Sequence, residues 1–190
     1  MGDLYRRLQA ILQENTALWS VIQGADMLGV EHYYVGAGCI AQTVWNVQNR
    51  FPPMYGIADI DFVYYDDTDL SWSGEDAVIR RVGECFGSLG IPLDVKNQAR
   101  VHLWYRKKWG VEVPPVRSLE EAIGTWPTTA TAVGVRLLDG AEWRVCAPFG
   151  LNDLFAQVIR ANKVRINEAY YREKCTKWHA KWNSLQIVPW

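Results

Sequence analysis

Hydrophobic residues recur along this chain at two spacings, one typical of helices and one typical of strands. A repeat of three or four positions predicts amphipathic helices that bury one face. These segments are residues 4–22 with a break near 15–16, 39–48, 75–86, 151–159 and 171–185. Short runs of β-branched and aromatic residues predict strands instead. These runs are residues 32–35, 57–65, 93–97 and a hairpin at 130–145 that turns at Asp139-Gly140.

The order of these elements predicts an α+β fold, or an α/β layered one, in which helices flank a small mixed β-sheet. A chain of 190 residues can bury one sizeable core. We expect a single domain over residues 1–190, with its core at about 30–150 and a C-terminal helical and hairpin extension at about 151–190. We find no internal repeat and no low-complexity linker.

The overall composition is that of an ordinary globular protein, but the charges are unevenly distributed. The net charge is only -1, which argues against indiscriminate binding to polyanions or polycations. Residues 59–76 nevertheless contain seven acids and no base, whereas residues 160–181 contain seven bases and two acids. The ten Trp and nine Tyr favour large aromatic packing and a surface that can stack ligands. An acidic site and a basic tail are therefore separable in the sequence.

The cysteines and the hydropathy pattern bear on the compartment. Cys39, Cys85, Cys146 and Cys175 lie far apart and follow no secretory signal pattern, so we expect reduced thiols in a cytoplasmic protein. Their spacing does not favour a zinc site. No apolar run approaches the ~18 residues that span a bilayer, and we expect no membrane partner.

Two carboxylates lie in the predicted strand at residues 57–65. Because side chains alternate across a strand, Asp59 and Asp61 project to one face, and Ile60, Phe62 and Tyr64 project to the other. Two like charges at this spacing raise each other's pKa, and a divalent cation with oxygen ligands relieves the repulsion. Taken alone, an Asp-x-Asp strand is better explained as an exposed strand face that carries two acids.

Two further features extend this acidic pair. The glycines at Gly36 and Gly38 lie where a predicted strand turns into a helix, and free N–H groups at a helix start favour phosphate. A third carboxylate, Asp94, lies on a separate strand with Lys96 on the same face. This combination predicts phosphoryl or nucleotidyl transfer assisted by two metal ions.

These motifs resemble those of a known family. The glycine turn followed by Asp59-Ile60-Asp61 looks like the glycine and Asp-h-Asp motifs (h, apolar) of the DNA polymerase beta nucleotidyltransferase superfamily. More closely, the chain is similar to a family of short bacterial nucleotidyltransferase-like proteins from about Val35 onward. The segments that carry this similarity are residues 44–46, 59–61, 95–102, 126–133 and 147–155.

The resemblance implies a nucleotidyltransferase fold and roles for five of these residues. Asp59 and Asp61 would each bind Mg²⁺, with Mn²⁺ as the alternative, and Asp94 would complete one metal site and orient the acceptor hydroxyl. Gly38, with Gly36 nearby, would bring backbone N–H groups against the triphosphate of an NTP. The acceptor, which is a small molecule, an RNA or a protein, is not specified.

The chain departs from relatives such as the tRNA-end-adding enzymes at one position, where Ala41 replaces a basic residue. Lys96 or Arg100 would then bind the phosphates, and Lys96 is preferred because it shares a face with Asp94. His102 also matches the family pattern and is a candidate general base on the acceptor side. Each residue also has a structural interpretation: a plain turn for the glycines, an ion pair of Asp94 with Lys96 or Arg100, and a structural histidine.

The aromatic and basic segment at residues 104–109 fits two roles, base stacking with phosphate contacts or aromatic packing with a solvated edge. Three functions stay open at this point. The leading hypothesis is a metal-dependent enzyme that transfers an NMP from an NTP to an acceptor hydroxyl and releases pyrophosphate. A catalytically inert NTP-binding and metal-binding regulatory module is the alternative that Ala41 favours. An Asp-x-Asp glycosyltransferase is a third, which the early glycine turn and the short chain disfavour.

Overall fold

The computed structural model describes residues 2–190, which form eight α-helices and seven strands. The helices are α1 (Gly2–Glu14), α2 (Thr16–Gly24), α3 (Gly38–Gln48), α4 (Trp72–Phe86), α5 (Val101–Trp109), α6 (Leu119–Ile123), α7 (Asn152–Phe155) and α8 (Glu168–His179). The strands are β1 (Tyr33–Gly36), β2 (Ile60–Tyr64), β3 (Leu93–Asn97), β4 (Gly134–Leu138), β5 (Glu142–Cys146), β6 (Val158–Ile159) and β7 (Gln186–Ile187).

The five longer strands form one mixed sheet in the order β3-β2-β1-β4-β5. Strands β2 and β3 run parallel and are joined by the crossover helix α4, whereas the other neighbouring strands are antiparallel. This confirms the predicted fold class of a small mixed sheet with flanking helices. Among residues 2–190 no helix has both the length and the hydropathy to cross a membrane.

The two faces of the sheet are covered unequally. One face carries Tyr33, Val35, Ile60 and Phe62 into the main core, which also includes the buried stripes of α1 to α4 and α8. The other face carries Tyr34 and Val63 into a smaller cluster under α6. Side-chain alternation places the even-numbered residues of β3 and the odd-numbered residues of β2 on this second face. The face that carries the predicted carboxylates is therefore the less covered one.

Several local predictions are confirmed by capping and turn geometry. The break between α1 and α2 occurs at Asn15, whose side-chain oxygen accepts a hydrogen bond from the Leu18 N–H at 3.2 Å. The same side chain donates to the Thr43 hydroxyl at 2.9 Å and ties the break to α3. The hairpin of β4 and β5 turns at Asp139 and Gly140, both with positive φ.

The predicted helix at residues 151–159 is wrong beyond its first turn. Helix α7 ends at Phe155, and Gln157 adopts a φ of 56°, which redirects the chain into β6. Strand β6 then pairs in parallel with β7, nearly thirty residues further on. The apolar periodicity at Leu154 and Ile159 was that of buried positions, not of a continuous helix.

The last predicted helix is shorter than expected for a similar reason. Helix α8 ends at His179, although Trp182 and Leu185 continue its apolar spacing and are buried. The Trp182 indole N–H donates to the Asn46 side-chain oxygen at 2.7 Å. The C-terminal extension therefore combines a helix with a parallel strand pair, and a hairpin is absent from residues 151–190.

Candidate active site

Gly36, Asp61 and Asp94 form one row across the sheet. Gly36 at the end of β1 is paired with Asp61 on β2, and Asp61 is paired in parallel register with Asp94 on β3. Residues in register on neighbouring strands lie ~4.7–4.9 Å apart and point their side chains to the same face. The predicted glycine and two of the three predicted carboxylates thus lie side by side on the less covered face.

Asp59 lies one residue before β2 and is exposed, so it approaches this row from the strand end. Its effect on Asp61 is electrostatic: burial raises the pKa of Asp61 to about 7, with the carboxylates of Asp59 and Asp94 adding to the rise. Lys174 and Lys96 act in the opposite direction. Asp59 and Asp94 are therefore both near enough to act electrostatically on Asp61, whose pKa is strongly perturbed.

Lys96 lies on the same face as Asp94 and forms an ion pair with it. Both side chains are partly exposed, and the Lys96 ammonium also donates to the Val95 carbonyl at 3.2 Å. The predicted cation is thus present at the site, with its charge directed to the third carboxylate.

The turn between β1 and α3 has an unusual backbone at Ala37, which has φ 61° and ψ -128°. Such a conformation is rare for a residue with a Cβ and costs ~1–3 kcal/mol, so the surrounding structure must hold it in place. The Ala37 N–H donates to the Val133 carbonyl at 2.9 Å, which anchors the turn to the segment before β4. Among the described residues no side chain caps α3, so its first N–H groups are available to a ligand such as phosphate.

The two glycines of this turn have different surroundings. A Cβ on Gly36 would lie 2.9 Å from both the Trp126 ring and the Val133 carbonyl oxygen. A Cβ on Gly38 would meet only the end of the Gln42 side chain, whose Nε2 atom is 2.9 Å away. Gly36 is therefore required for close packing, whereas Gly38 keeps open a space next to the Gln42 amide.

Ala41 is fully buried in the main core, so a residue at this position does not face the turn. Gln42, one residue later, brings a polar amide over Gly38. Sequence reasoning did not identify Gln42 as a site residue. The available signal was its position four residues after Gly38, which places both on one helix face.

Lys174 is a second residue that sequence reasoning missed. It lies on α8, and among the cations it is the one that most strongly opposes the raised pKa of Asp61. Helix α8 reaches the site because Trp178 packs edge-to-face against Trp45 of α3, with ring centroids 5.6 Å apart. Long-range contacts of this kind relate residue 174 to the carboxylates, and spacing along the chain does not show them.

Two predicted candidates lie elsewhere. Arg100 is buried and forms an ion pair with Glu75. Its guanidinium also donates to the Leu70 carbonyl at 2.9 Å, so it links the segment after β3 to the start of α4. His102 is the second residue of α5, and its buried Nδ1 atom has no hydrogen-bond partner among the described residues. Neither side chain belongs to the row of carboxylates.

An aromatic pocket of about 350 Å³ opens directly beside this row. Asp94 and Lys96 form its boundary with the site. Residues in or next to α5, residues 125–127 and residues 164–170 form the rest. Its aromatic side chains are Trp104, Tyr105, Trp109, Trp126 and Tyr170.

The residues fit a divalent cation that is shared with a substrate. Among residues 2–190 no three His, Cys, Asp or Glu side chains form a ready-made metal cluster. Magnesium is commonly bound by one or two carboxylates together with substrate phosphates, and not by a cage of protein ligands. The adjacent Asp61 and Asp94, with the raised pKa of Asp61, are suited to that mode.

Comparison with known proteins identifies the family and the fold of the chain. A family model described as nucleotidyltransferase matches residues 23–187. The chain is also similar to a protein whose NMR structure reveals a CCA-adding enzyme head domain, with a TM-score of 0.75, 23% sequence identity and 96% of each chain covered. At this identity the likeness shows the fold. No curated protein matches the chain.

Proposed function

The chain belongs to the nucleotidyltransferase family, and from this premise we propose that it transfers an NMP from an NTP to an acceptor hydroxyl, with release of pyrophosphate. The observation that carries the proposal is the row formed by Gly36, Asp61 and Asp94 across the sheet. It sets an uncapped helix N-terminus, which suits phosphate, beside two carboxylates, which suit a cation.

The position of each group suggests its part in the reaction. The N–H groups at the start of α3 and the Gln42 amide would bind the phosphates that leave as pyrophosphate. Asp94, which lies on the side of Asp61 away from Gly36, would orient the acceptor hydroxyl or accept its proton. Attacking and leaving oxygens lie roughly in line in phosphoryl transfer, so these two groups belong on opposite sides of the reacting phosphorus.

Asp59, Asp61 and Asp94 would hold Mg²⁺, or Mn²⁺ in its place. A bound cation would neutralise charge on the phosphates and would activate the acceptor oxygen for attack on the phosphorus. Position 41 is a buried alanine and supplies no charge. Lys174 would supply a positive charge near Asp61 instead. Lys96 would hold Asp94 in position through their ion pair.

A second candidate is an inert module that binds NTP and metal without turnover. The Asp94–Lys96 ion pair favours it, because Lys96 occupies a carboxylate that the transfer reaction would need for the metal ion and the acceptor hydroxyl. The family assignment gives no support to the glycosyltransferase alternative.

Binding of each NTP with and without Mg²⁺ tests the proposal, with calorimetry as the measurement. We expect Mg²⁺-dependent binding that Asp61→Asn abolishes. The control Asp76→Asn should leave binding intact, since Asp76 is a partly exposed acid on α4 that is paired with Arg80. Equal binding by both variants would refute the metal assignment.

Turnover is tested with an NTP labelled at the α-phosphate and fractions of small molecules, RNA and protein. Label on one fraction, lost in Asp94→Asn, supports the transferase. Tight Mg²⁺-dependent binding without label in any fraction supports the inert module.

A further inference from the structure

The aromatic pocket is built from side chains that the core does not use. Of the nine residues of α5 only Val101 is buried, and Trp109 at its end is 42% exposed. Trp109 meets Tyr170 of α8 edge-to-face, with ring centroids 5.0 Å apart, and Tyr105 lies 6.3 Å away. A packed core would have buried these rings, so their partial exposure around a cavity indicates a surface for a planar ligand.

The pocket is also positively charged. Lys96, Lys108 and Arg165 line it, and Asp94 is its one acidic residue within the described chain. The Lys108 ammonium lies 5.6 Å from the Trp104 ring centroid and 5.3 Å from that of Trp109. A cation held against aromatic faces at the mouth of a cavity suits a ligand that carries both a ring and a negative charge.

The position of the pocket distinguishes the two substrates of the proposed reaction. The glycine turn lies on the β1 side of Asp61, whereas the pocket begins at Asp94 and Lys96 on the β3 side. If the leaving phosphates bind at the turn, in-line displacement requires the attacking hydroxyl to approach from the opposite side. That is the side onto which the pocket opens.

We propose that the aromatic pocket binds the acceptor, and that the acceptor is a nucleotide or a nucleotide end of a longer molecule. Its base would stack against Trp109 and Trp104, and its phosphate would lie near Lys108 and Arg165. The volume of about 350 Å³ is at the small end of the ~300–1,000 Å³ of ligand pockets, so it accommodates one nucleotide and not a longer buried segment. This inference rests on the proposed function for the direction of attack.

The test measures binding of AMP and UMP to the full chain in EDTA, by calorimetry, separately from Mg²⁺-dependent binding of a non-hydrolysable ATP analogue. We expect both mononucleotides to bind, since stacking tolerates any base. Trp109→Ala should weaken their binding roughly tenfold or more, because stacking on one aromatic ring commonly contributes this much. Trp72→Ala, which removes a tryptophan that is 64% exposed and outside the pocket, should leave it unchanged.

A second variant tests the anionic group. Lys108→Met should weaken AMP binding severalfold and leave binding of uncharged adenosine unchanged. Circular dichroism of each variant checks that α5, which is exposed at both replaced positions, stays folded.

Three outcomes would overturn the inference. The first is no saturable binding of either mononucleotide, and the second is mononucleotide binding that Trp109→Ala does not alter. The third is a Trp109→Ala variant that loses only its binding of the ATP analogue, which would place the donor base in the pocket. Failure of the proposed function gives a different result, in which ATP-analogue binding is absent or insensitive to Asp61→Asn while the Trp109-dependent binding of AMP persists.

Discussion

Asp61 and Asp94 lie directly beside each other on the parallel strands β2 and β3, thirty-three positions apart in the chain. The register of the sheet, set by apolar neighbours such as Ile60, Phe62 and Val95, forces the two carboxylates onto one face. The fold thus holds two carboxylates side by side, although they repel each other when both are ionised. Such an arrangement costs stability in the metal-free protein and favours a ligand of opposite charge.

The raised pKa of Asp61 predicts a pH dependence of the metal-free protein. The pKa is about 7 in the folded chain and has an ordinary value of 3.8, so between these values the folded state retains a proton that the unfolded state has released. The free energy of unfolding should therefore fall as the pH rises from about 4 to 7 and level off above 7. Below pH 4 both states are protonated at this group, and its contribution is constant.

The variant Asp61→Asn should remove this fall. At pH 8 we expect it to be more stable than the wild type by ~1–2 kcal/mol, allowing for the partial solvent exposure of the site. In a chain of this size that gain raises Tm by roughly 2–8 °C, measurable by calorimetry in EDTA. If the free energy of unfolding of Asp61→Asn depends on pH as that of the wild type does, Asp61 is not the group responsible for the fall. Addition of Mg²⁺ should stabilise the wild type more at pH 8 than at pH 6.

The two glycines of the turn should separate stability from binding. In Gly36→Ala the new methyl group would collide with the Val133 carbonyl and the Trp126 ring, and we expect a loss of ~1–3 kcal/mol in stability. In Gly38→Ala only the flexible Gln42 side chain must move, so stability should change by less than ~1 kcal/mol. The methyl would nevertheless narrow the approach to the first N–H groups of α3, and NTP binding should weaken.

Urea unfolding and calorimetric NTP titration of both variants give the two quantities independently. Loss of stability in Gly38→Ala, with normal NTP binding, would mean that this turn has no role beyond connecting β1 to α3.

Gln42, which lies beside Gly38, and Lys174, which acts on Asp61, should both contribute to NTP affinity. Gln42→Ala removes one neutral hydrogen-bond donor and should raise the Kd for NTP by roughly 2- to 10-fold. Lys174→Met removes a charged donor and should raise it by roughly 10- to 100-fold. Lys177→Met is the matched control, because Lys177 lies on the same helix and is paired with exposed Glu173. Equal effects of the two lysine variants would indicate a general charge effect of α8.

The Glu75–Arg100 pair should govern stability and not NTP binding. Both side chains are buried, and Glu75 also accepts a hydrogen bond from the Asn97 N–H at 2.8 Å. Arg100→Met leaves a buried carboxylate without its cation and should cost ~3–5 kcal/mol. Arg80→Met, which breaks an exposed pair with Asp76, should cost less than ~1 kcal/mol.

Urea unfolding measures this difference, and NTP binding well below the Tm of each variant provides the second test. An Arg100→Met variant of wild-type stability with strongly weakened NTP binding would restore Arg100 as a phosphate-binding residue.

Much of the fold follows from local chemistry that is visible in the sequence. The alternation of apolar and polar residues identified β2, β3 and the β4–β5 hairpin, and it placed Asp61 and Asp94 on the strand faces opposite the main core. The glycine turn between β1 and α3 was likewise predictable, because a strand that ends at Gly36 and a helix that begins at Gly38 leave little choice of backbone. Spacing along the chain was sufficient for these features.

Periodicity failed where it reports burial and not continuous secondary structure. Residues 151–159 and 171–185 have helical spacing throughout, yet positive φ at Gln157 and the pairing of β6 with β7 interrupt it. The predicted hairpin begins later than expected, because residues 130–133 lie before β4, and Thr129 just ahead of them donates to the Asp153 carboxylate at 2.6 Å. Contacts between distant segments decided these cases, and one strand's sequence does not encode its partner.

The sequence by itself determined the three candidate carboxylates, the glycine turn and the family of the chain, because each depends on residue type and spacing along one element. Only the tertiary structure decided which cations accompany them. Arg100 and Lys174 are both basic and distant from Asp61 in sequence, and packing buries one against Glu75 while the Trp45–Trp178 contact carries the other to the site. The electrostatic field of a site is a sum over all neighbours in space, and those neighbours exist only once the helices have packed.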